Sequence, residues 1–463
     1  MNADPAKRDT ESWRILLCAG RGLELLVLKR PLGICLPVLR ISRQERIAES
    51  LNAEARRSWN LDTVCIAPIT VPPPDRTSGD ARYHIMEVLR PEELGRIAPK
   101  AMDFGALKAG YFSDPRDYLA VRRAMKLDAD QALCDQPGPF SDFGAFRRIS
   151  AWVEEQLVAL GWRWGGAFRQ LHSTESFALI RFQARDGAVW FKATGEPNRR
   201  ELAITRRLAK LYPAFLPEII SVREDWNAWL TKETKGLSLD SNRDLGAWCQ
   251  AAESLARLQI ASIGQTSSVL DCGGHDSRTS KLLSQVTPFF TAIGSLMEGQ
   301  IKTTPRRLSA PEIRTLELRV GEALRQLASL LIPDTLNHFD LNPGNTIVHS
   351  DGCTFLDWVE AGVGNPFLSF EYLFQHFLRT FGNESEAATK FRRSYLNLWS
   401  TLLPQSAIDH AMALLPLTAP FAYAATILPW NTSTRKPTSE SAAFLRSLAR
   451  QMQREADQLM SAA

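Results

Sequence analysis

The sequence predicts an α+β chain in three parts: a small α+β domain, a β-rich small lobe and a helical large lobe. Three observations predict it. Short strand-like apolar runs surround one helical pattern in the first quarter of the chain. A stretch carrying Pro137, Gly138 and Pro139 then breaks the periodicity. From Leu239 onwards almost every periodic segment has helical spacing. With 463 residues the chain is too long for one ordinary core. The expected boundaries are 1–125 for the first domain, 126–150 for the linker, 151–236 for the small lobe and 237–463 for the large lobe.

Arg14 to Cys18 and Leu23 to Leu28 read as strands around Gly20-Arg21-Gly22, and Ile41 to Leu61 reads as a helix. Val64 to Val71 and Tyr83 to Val88 read as further strands, with a loop at Pro72-Pro73-Pro74-Asp75 and the linker centred on 128–143. Ile149 to Leu160 is amphipathic. Phe177 to Phe182 and Ala188 to Lys192 form strands around Asp186-Gly187, and Arg199 to Leu208 is helical. Trp164 to Ser176 is expected as a loop before the first of these strands. Trp229 to Glu233, ending a strand ahead of Gly236, fits a hinge whose main chain reads a nucleotide base.

Composition excludes several classes. A formal charge of +4 is small for this length and gives no case for nucleic acid. Seven cysteines, scattered and without a Cys-x-x-Cys pair, favour a reducing cytoplasm over a disulfide framework or zinc site. The first apolar run, Ile15 to Cys18, is too short for a signal peptide. Ala411 to Trp430 has the length of a membrane span but contains Pro416, Pro420 and Pro429, so it reads as buried helix and not as a bilayer segment. The chain is expected to be cytoplasmic, with no membrane or nucleic-acid partner.

The chemistry concentrates in His338-Phe339-Asp340-Leu341-Asn342-Pro343-Gly344-Asn345. A His-x-Asp followed by an Asn five residues on is the spacing of a phosphotransferase catalytic loop, in which the Asp accepts a hydroxyl proton and the Asn holds Mg2+. Thr346-Ile347-Val348 and Cys353-Thr354-Phe355-Leu356 flank Asp351-Gly352, a hairpin signal in which both central turn residues take positive φ. The return strand brings Asp357 back beside Asp340 and Asn345 as a second Mg2+ ligand. Upstream, Lys192 ends an apolar strand and Glu201 lies in the helix that follows, as a phosphate-holding lysine and its carboxylate partner require. The segment is no glycine-rich loop, and Ser173, Thr174 and Ser176 read equally as candidate phosphate contacts or as a plain polar turn.

These residues resemble the aminoglycoside phosphotransferase and choline kinase family, within the protein-kinase-like fold. Phe191-Lys192-Ala193, Glu201-Leu202, Leu211-Tyr212-Pro213, Leu255-Ala256-Arg257-Leu258, the Asn337 to Asn345 loop and Asp357-Trp358 stand in the family's order, over about residues 150 to 463. The resemblance implies Asp340 as catalytic base, Asn345 and Asp357 as Mg2+ ligands, Lys192 as phosphate clamp with Glu201 as its partner, and His338 as a support beneath the loop. Two positions depart from it. Phe339 replaces a small or basic residue, and Asn342 stands where a histidine is common.

The first domain resembles a degenerate Nudix domain. Aligning Leu39 to Leu61 with the Nudix box puts Glu45 and Glu54 at acidic positions, but Arg57 and Ser58 replace the paired metal-binding glutamates, and Leu39 and Asn60 replace glycines. A structural or substrate-shaping domain is the expected reading. The functional expectation is a small-molecule kinase moving the γ-phosphoryl group of ATP or GTP to a hydroxyl with Mg2+; the alternative is a kinase-like nucleotide-binding scaffold. Protein kinase activity ranks third, because no Ala-Pro-Glu segment follows Asp357.

Overall fold

A computed structural model describes residues 10–19, 24–43, 46–71, 82–90, 100–130, 143–382, 385–431 and 437–462. Glu45, Cys134, the Gly20-Arg21-Gly22 turn, the Pro72–Asp75 loop and most of the proposed linker lie outside them. The chain forms two compact units, one of residues 1–202 and 219–233, the other of 203–218 and 234–463.

The first unit opens with β1 (Thr10–Ala19), β2 (Glu24–Arg30), β3 (Gly33–Cys35), β4 (Val38–Ser42), α1 (Ile47–Trp59), β5 (Thr63–Thr70), β6 (Arg82–Val88), β7 (Lys100–Asp103) and α2 (Pro115–Asp130). The main sheet path runs β3-β2-β1-β6-β5, with β1 parallel to β6. Side chains alternate along β1. Ile15 and Leu17 pack with Ala48, Leu51 and Ala55 of α1, whereas Leu16 and Cys18 pack with Ala120, Val121 and Ala124 of α2. Each sheet face is thus covered by one helix. Two boundaries differ from the sequence reading. Ile41 belongs to β4, because Trp13↔Leu39 and Glu11↔Ile41 pairing extends the sheet before the helix begins. The expected linker of 126–150 is shortened at both ends, because 126–130 ends α2 and Ala145 already starts α3.

The same unit continues with α3 (Ala145–Ala159), β8 (Trp164–Thr174), β9 (Phe177–Ala184), β10 (Gly187–Thr194), the start of α4 (Glu201–Leu211), β11 (Ile219–Arg223) and β12 (Ala228–Lys232). The sheet order is β11-β12-β10-β9-β8. Ile149, Trp152, Val153 and Leu157 of α3 join Ile180, Phe182, Val189, Phe191 and Leu230 in one core, to which β5 contributes Val64.

The second unit contains the rest of α4, β13 (Leu237–Ser238), α5 (Leu245–Ser262), α6 (Ser267–Asp271), β14 (His275–Ser277), α7 (Thr279–Glu298), α8 (Ala310–Ser329), β15 (Thr335–His338), β16 (Thr346–His349), β17 (Gly352–Phe355), β18 (Ala361–Gly364), α9 (Phe367–Phe381), α10 (Ser385–Trp399), α11 (Gln405–Ile427) and α12 (Ser439–Ala462). Two small sheets, β13-β16-β17 and β14-β18-β15, sit among these helices. The architecture is the expected kinase-like α+β arrangement, a β-rich small lobe followed by a helical large lobe, with an added N-terminal sheet domain. Among the described residues, α11 is the helix long and apolar enough to cross a bilayer; Leu414, Leu415, Leu417, Phe421 and Ala422 are buried in the chain's own core.

Candidate functional site

The small lobe carries Lys192, Glu201 and Ser176, the residues the sequence singles out for phosphate contact. Val189, Phe191 and Ala193 of β10 point into the core, so strand alternation turns Lys192 to the opposite face. There its ammonium forms an ion pair with the Glu201 carboxylate and lies 5.4 Å from the Phe177 ring centroid and 5.8 Å from that of Trp229. Glu201 occupies the first turn of α4, where the helix dipole favours an anion, and is 2% exposed. The spacing of the pair is set by a residue with no sequence signal. Asn227, held at φ 46°, donates through Nδ2 to the carbonyls of Thr194 (2.7 Å) and Arg199 (2.9 Å), tying the end of β10 to the approach of α4.

Ser176 lies in the turn between β8 and β9, where its carbonyl accepts the Gly195 N–H at 2.6 Å and its own N–H faces Thr174 Oγ1 at 3.4 Å. The expected loop from Trp164 to Ser176 is instead mostly strand. Its Gly165-Gly166 pair sits where β8 slips register against β9, between Trp164 and Phe168, so the glycines accommodate an irregular edge and not a phosphate. Ser173 is also spent elsewhere, since its hydroxyl donates to the Ile66 carbonyl at 3.0 Å. At the proposed hinge, the Glu233 N–H donates to Ala188 (2.9 Å), and its carboxylate accepts from Arg181 (2.5 Å) and Trp190 Nε1 (3.1 Å). The Arg181 contact holds the Glu233 carboxyl below the usual range.

The large lobe carries Asp340, Asn345 and Asp357, the residues the sequence singles out for proton and metal chemistry. Asp340 is flanked by buried Phe339 and Leu341, which clamp the loop on both sides. Its Oδ1 accepts from Asn342 Nδ2 (3.0 Å), its Oδ2 from Asn345 Nδ2 (3.1 Å), and Tyr372 Oη stands 3.5 Å from Oδ1. The family departure at Asn342 therefore supplies a donor to the carboxylate. The departure at Phe339 is accommodated by Gly362, where any Cβ would come within 2.8 Å of the Phe339 ring.

Asp357 is brought to this loop by main-chain bonds around Leu356. The Leu356 N–H donates to the Asn345 carbonyl at 2.8 Å, and the Leu356 carbonyl accepts from His338 Nε2 at 2.8 Å. His338 Nδ1 accepts the Asp340 N–H at 3.2 Å, so the imidazole bridges the two aspartate-bearing segments. Asp357 itself takes a left-handed conformation, φ 61° and ψ 71°, unusual for a side-chain-bearing residue and a form of strain that clusters at functional sites. The hairpin between Asn345 and Asp357 forms, but its turn is one residue earlier than expected. His349 pairs with Gly352, so Ser350 and Asp351 are the central residues, and neither has a positive φ. Gly352 instead opens the return strand at φ 141°.

With Asn345 Nδ2 directed to the Asp340 carbonyl and Oδ2, its amide oxygen lies on the other branch of the side chain. Amide and carboxylate oxygens are hard donors that suit Mg2+. Among the described residues no three His, Cys, Asp or Glu side chains converge as a metal cage.

Beyond Asp340, α9 and α11 contribute an aromatic surround that sequence spacing did not flag. Tyr372 lies 5.2 Å from His376 and 6.1 Å from Tyr423, centroid to centroid. Burial, followed by the Asp340 charge, pushes the Tyr372 hydroxyl up, and burial with nearby Glu360 pushes Tyr423 up to about 12. Both are therefore neutral hydroxyl donors at physiological pH. In the N-terminal domain, Glu54 accepts from Arg57 (2.8 Å) and Ser58 (2.5 Å), which occupy its oxygens and hold its carboxyl below the usual range.

Residues 193–404 match the phosphotransferase enzyme family, a span containing Glu201, Asp340, Asn345 and Asp357 and beginning one residue after Lys192. No curated protein matches the sequence. Similar solved structures include the macrolide 2'-phosphotransferase MphH from Brachybacterium faecium, at 16% identity over 65% of this chain and 97% of that one, TM-score 0.43. Choline kinase LicA from Streptococcus pneumoniae is 14% identical over 68% and 99%, TM-score 0.42. Spectinomycin phosphotransferase in complex with ADP and spectinomycin is 12% identical over 65% and 98%, TM-score 0.37.

Proposed function

Residues 193–404 match the phosphotransferase enzyme family, and on that premise we propose that the chain is a small-molecule kinase transferring the γ-phosphoryl group of ATP or GTP to a hydroxyl. The observation that carries the proposal is the bonded unit of Asp340, Asn345 and Asp357, closed by Leu356 and His338. Asp340 is the base that orients the acceptor hydroxyl and takes its proton. Asn342 and Asn345 donate to its two oxygens, fixing the carboxylate plane while leaving further lone pairs for the substrate.

Asn345 and Asp357 would hold Mg2+, which when bound neutralises charge on the transferred phosphate. Lys192, steadied by Glu201, binds phosphate oxygens, and Ser176 covers them from the β8–β9 turn. In this assignment catalysis is positioning and electrostatics, with no covalent enzyme intermediate. Tyr372 and Tyr423 form the acceptor side of Asp340, offering aromatic faces and hydroxyl donors to a polyhydroxylated or amine-bearing molecule. The chain works in the cytoplasm, where ATP and Mg2+ are abundant.

Thermal shift with ATP and with GTP, each with and without Mg2+, tests nucleotide use. A metabolite screen for 32P transfer from the nucleotide that stabilises the chain then identifies the acceptor. Metal-dependent stabilisation by at least one nucleotide is expected; none by either would leave the scaffold alternative in its place.

A further inference from the structure

β5 and β8 are each the outermost strand of their own sheet. An outer strand leaves peptide N–H and C=O groups unpaired along one side. Here the two edges are fastened together by side chains. Gln170 of β8 accepts the Cys65 N–H through Oε1 at 2.7 Å and donates through Nε2 to the Cys65 carbonyl at 2.8 Å, so its amide takes the place of a neighbouring strand's peptide. Asn52 Nδ2 donates to the same Oε1 at 2.9 Å, and Ser173 Oγ donates to the Ile66 carbonyl at 3.0 Å. Arg169 pairs with Glu49 of α1.

Both strands are irregular at this point. β5 slips against β6 between Cys65 and Ala67, and β8 slips against β9 between Gln170 and His172. A bulge leaves its extra residue outside the ladder, which frees the Ile66 carbonyl for Ser173 next to the Cys65 groups taken by Gln170. Gln170 is 5% exposed, so removing its amide would orphan buried main-chain groups. The fastening points at 169, 170 and 173 lie on the strand that leads directly into the Glu175–Ser176 turn.

We propose that Gln170 and Ser173 are positioning residues through which the N-terminal domain presets the Glu175–Ser176 turn for the nucleotide phosphates. A glycine-rich loop folds onto phosphates by its own freedom; this turn lacks glycine and is held in place from its root. The proposal rests on the phosphotransferase reading above.

The test uses the full-length chain and its Gln170→Ala, Ser173→Ala and Ser173→Thr variants, with ATP affinity measured by calorimetry in Mg2+ and amide exchange followed over residues 171–178. Gln170→Ala and Ser173→Ala are expected to speed exchange locally in that segment and to weaken ATP binding about fivefold or more, the effect of losing one or two hydrogen bonds. Ser173→Thr, which keeps the hydroxyl, restores both. Faster exchange with unchanged ATP affinity overturns the coupling, as does an effect spread over the whole chain, which marks a purely structural role. If Gln170→Ala fails to fold, the Ser173 pair decides alone. Wild-type protein that binds neither ATP nor GTP removes the phosphotransferase reading itself, a result separate from a wild type that binds normally beside variants that do the same.

Discussion

The main-chain N–H of Leu356 donates to the carbonyl of Asn345 at 2.8 Å, across the mouth of the β16–β17 hairpin. One main-chain hydrogen bond thereby ties Asn345 to the residue immediately before Asp357. His338 Nε2 holds the carbonyl of the same residue, in the peptide group that joins Leu356 to Asp357. Two residues twelve positions apart in sequence become one rigid element without any side-chain contact between them being needed.

Asp340→Ala is expected to lower turnover by about a thousandfold, the range of a lost general base, while leaving nucleotide affinity near wild type. Steady-state kinetics alongside calorimetry separate the two. Equal losses in both would mean that Asp340 serves binding and not proton transfer.

Asp357 offers a paired test. Asp357→Asn keeps a side chain that tolerates the left-handed conformation and removes only charge, whereas Asp357→Ala also adds backbone strain of about 1 kcal/mol. Both should abolish the Mg2+-dependent part of nucleotide binding, and the alanine variant should also melt lower. If the asparagine variant keeps full Mg2+ dependence, the ligand assignment is wrong.

A double-mutant cycle on Lys192→Ala and Glu201→Gln should give a coupling of about 1–3 kcal/mol in nucleotide binding, because the buried carboxylate acts through the lysine. Strict additivity would separate Glu201 from the phosphate site.

Glu371, buried on α9 beside Tyr372, has its carboxyl raised from 4.5 to about 6 by burial, against the opposing pull of Gln375 and Arg392. The folded state thus prefers the neutral acid. Stability is highest below pH 4.5 as far as this group is concerned, and is lost as pH rises through 4.5 to about 6. At about 1.4 kcal/mol per pH unit the loss is about 2 kcal/mol. Glu371→Gln, which can still accept from Gln375, should therefore raise the melting temperature at pH 7.5 and flatten the stability profile across that window. An unchanged profile in chemical denaturation would show the carboxylate to be ionised and well solvated.

The order of lobes and the hairpin after Asn345 were legible because their signals are local. Strand periodicity, helical spacing and the His338-to-Asn345 string each occupy a dozen residues or fewer, and hairpin return places Asp357 without any long-range knowledge. Contacts that depend on distant pairing left no trace. Tyr372 approaches Asp340 from 32 residues away, Asn227 reaches Thr194 from 33, and Gln170 meets Cys65 from 105. The Asp351-Gly352 reading went astray for a different reason: an Asp-Gly pair identifies a turn, but whether glycine sits within it or opens the next strand depends on the register of both strands, here His349 opposite Gly352. Trp164 to Thr174 hid its strand character because its two bulges break the alternation that marks a strand.

The start of α3 leans on the N-terminal sheet. The Gly144 N–H at its cap donates to Glu87 Oε2 at 2.9 Å, and Val64 of β5 supplies part of the core on which α3 packs. One domain thus completes the interior of the other. The join behaves as a graft that has healed, not as beads on a string, and a cut anywhere in 131–142 would not release two finished modules. Exchanging this N-terminal domain for that of a distant homologue would succeed only if Val64, Glu87 and the Cys65–Ile66 bulge travelled with it, so these positions should change together with Gln170 and Ile149 across related chains.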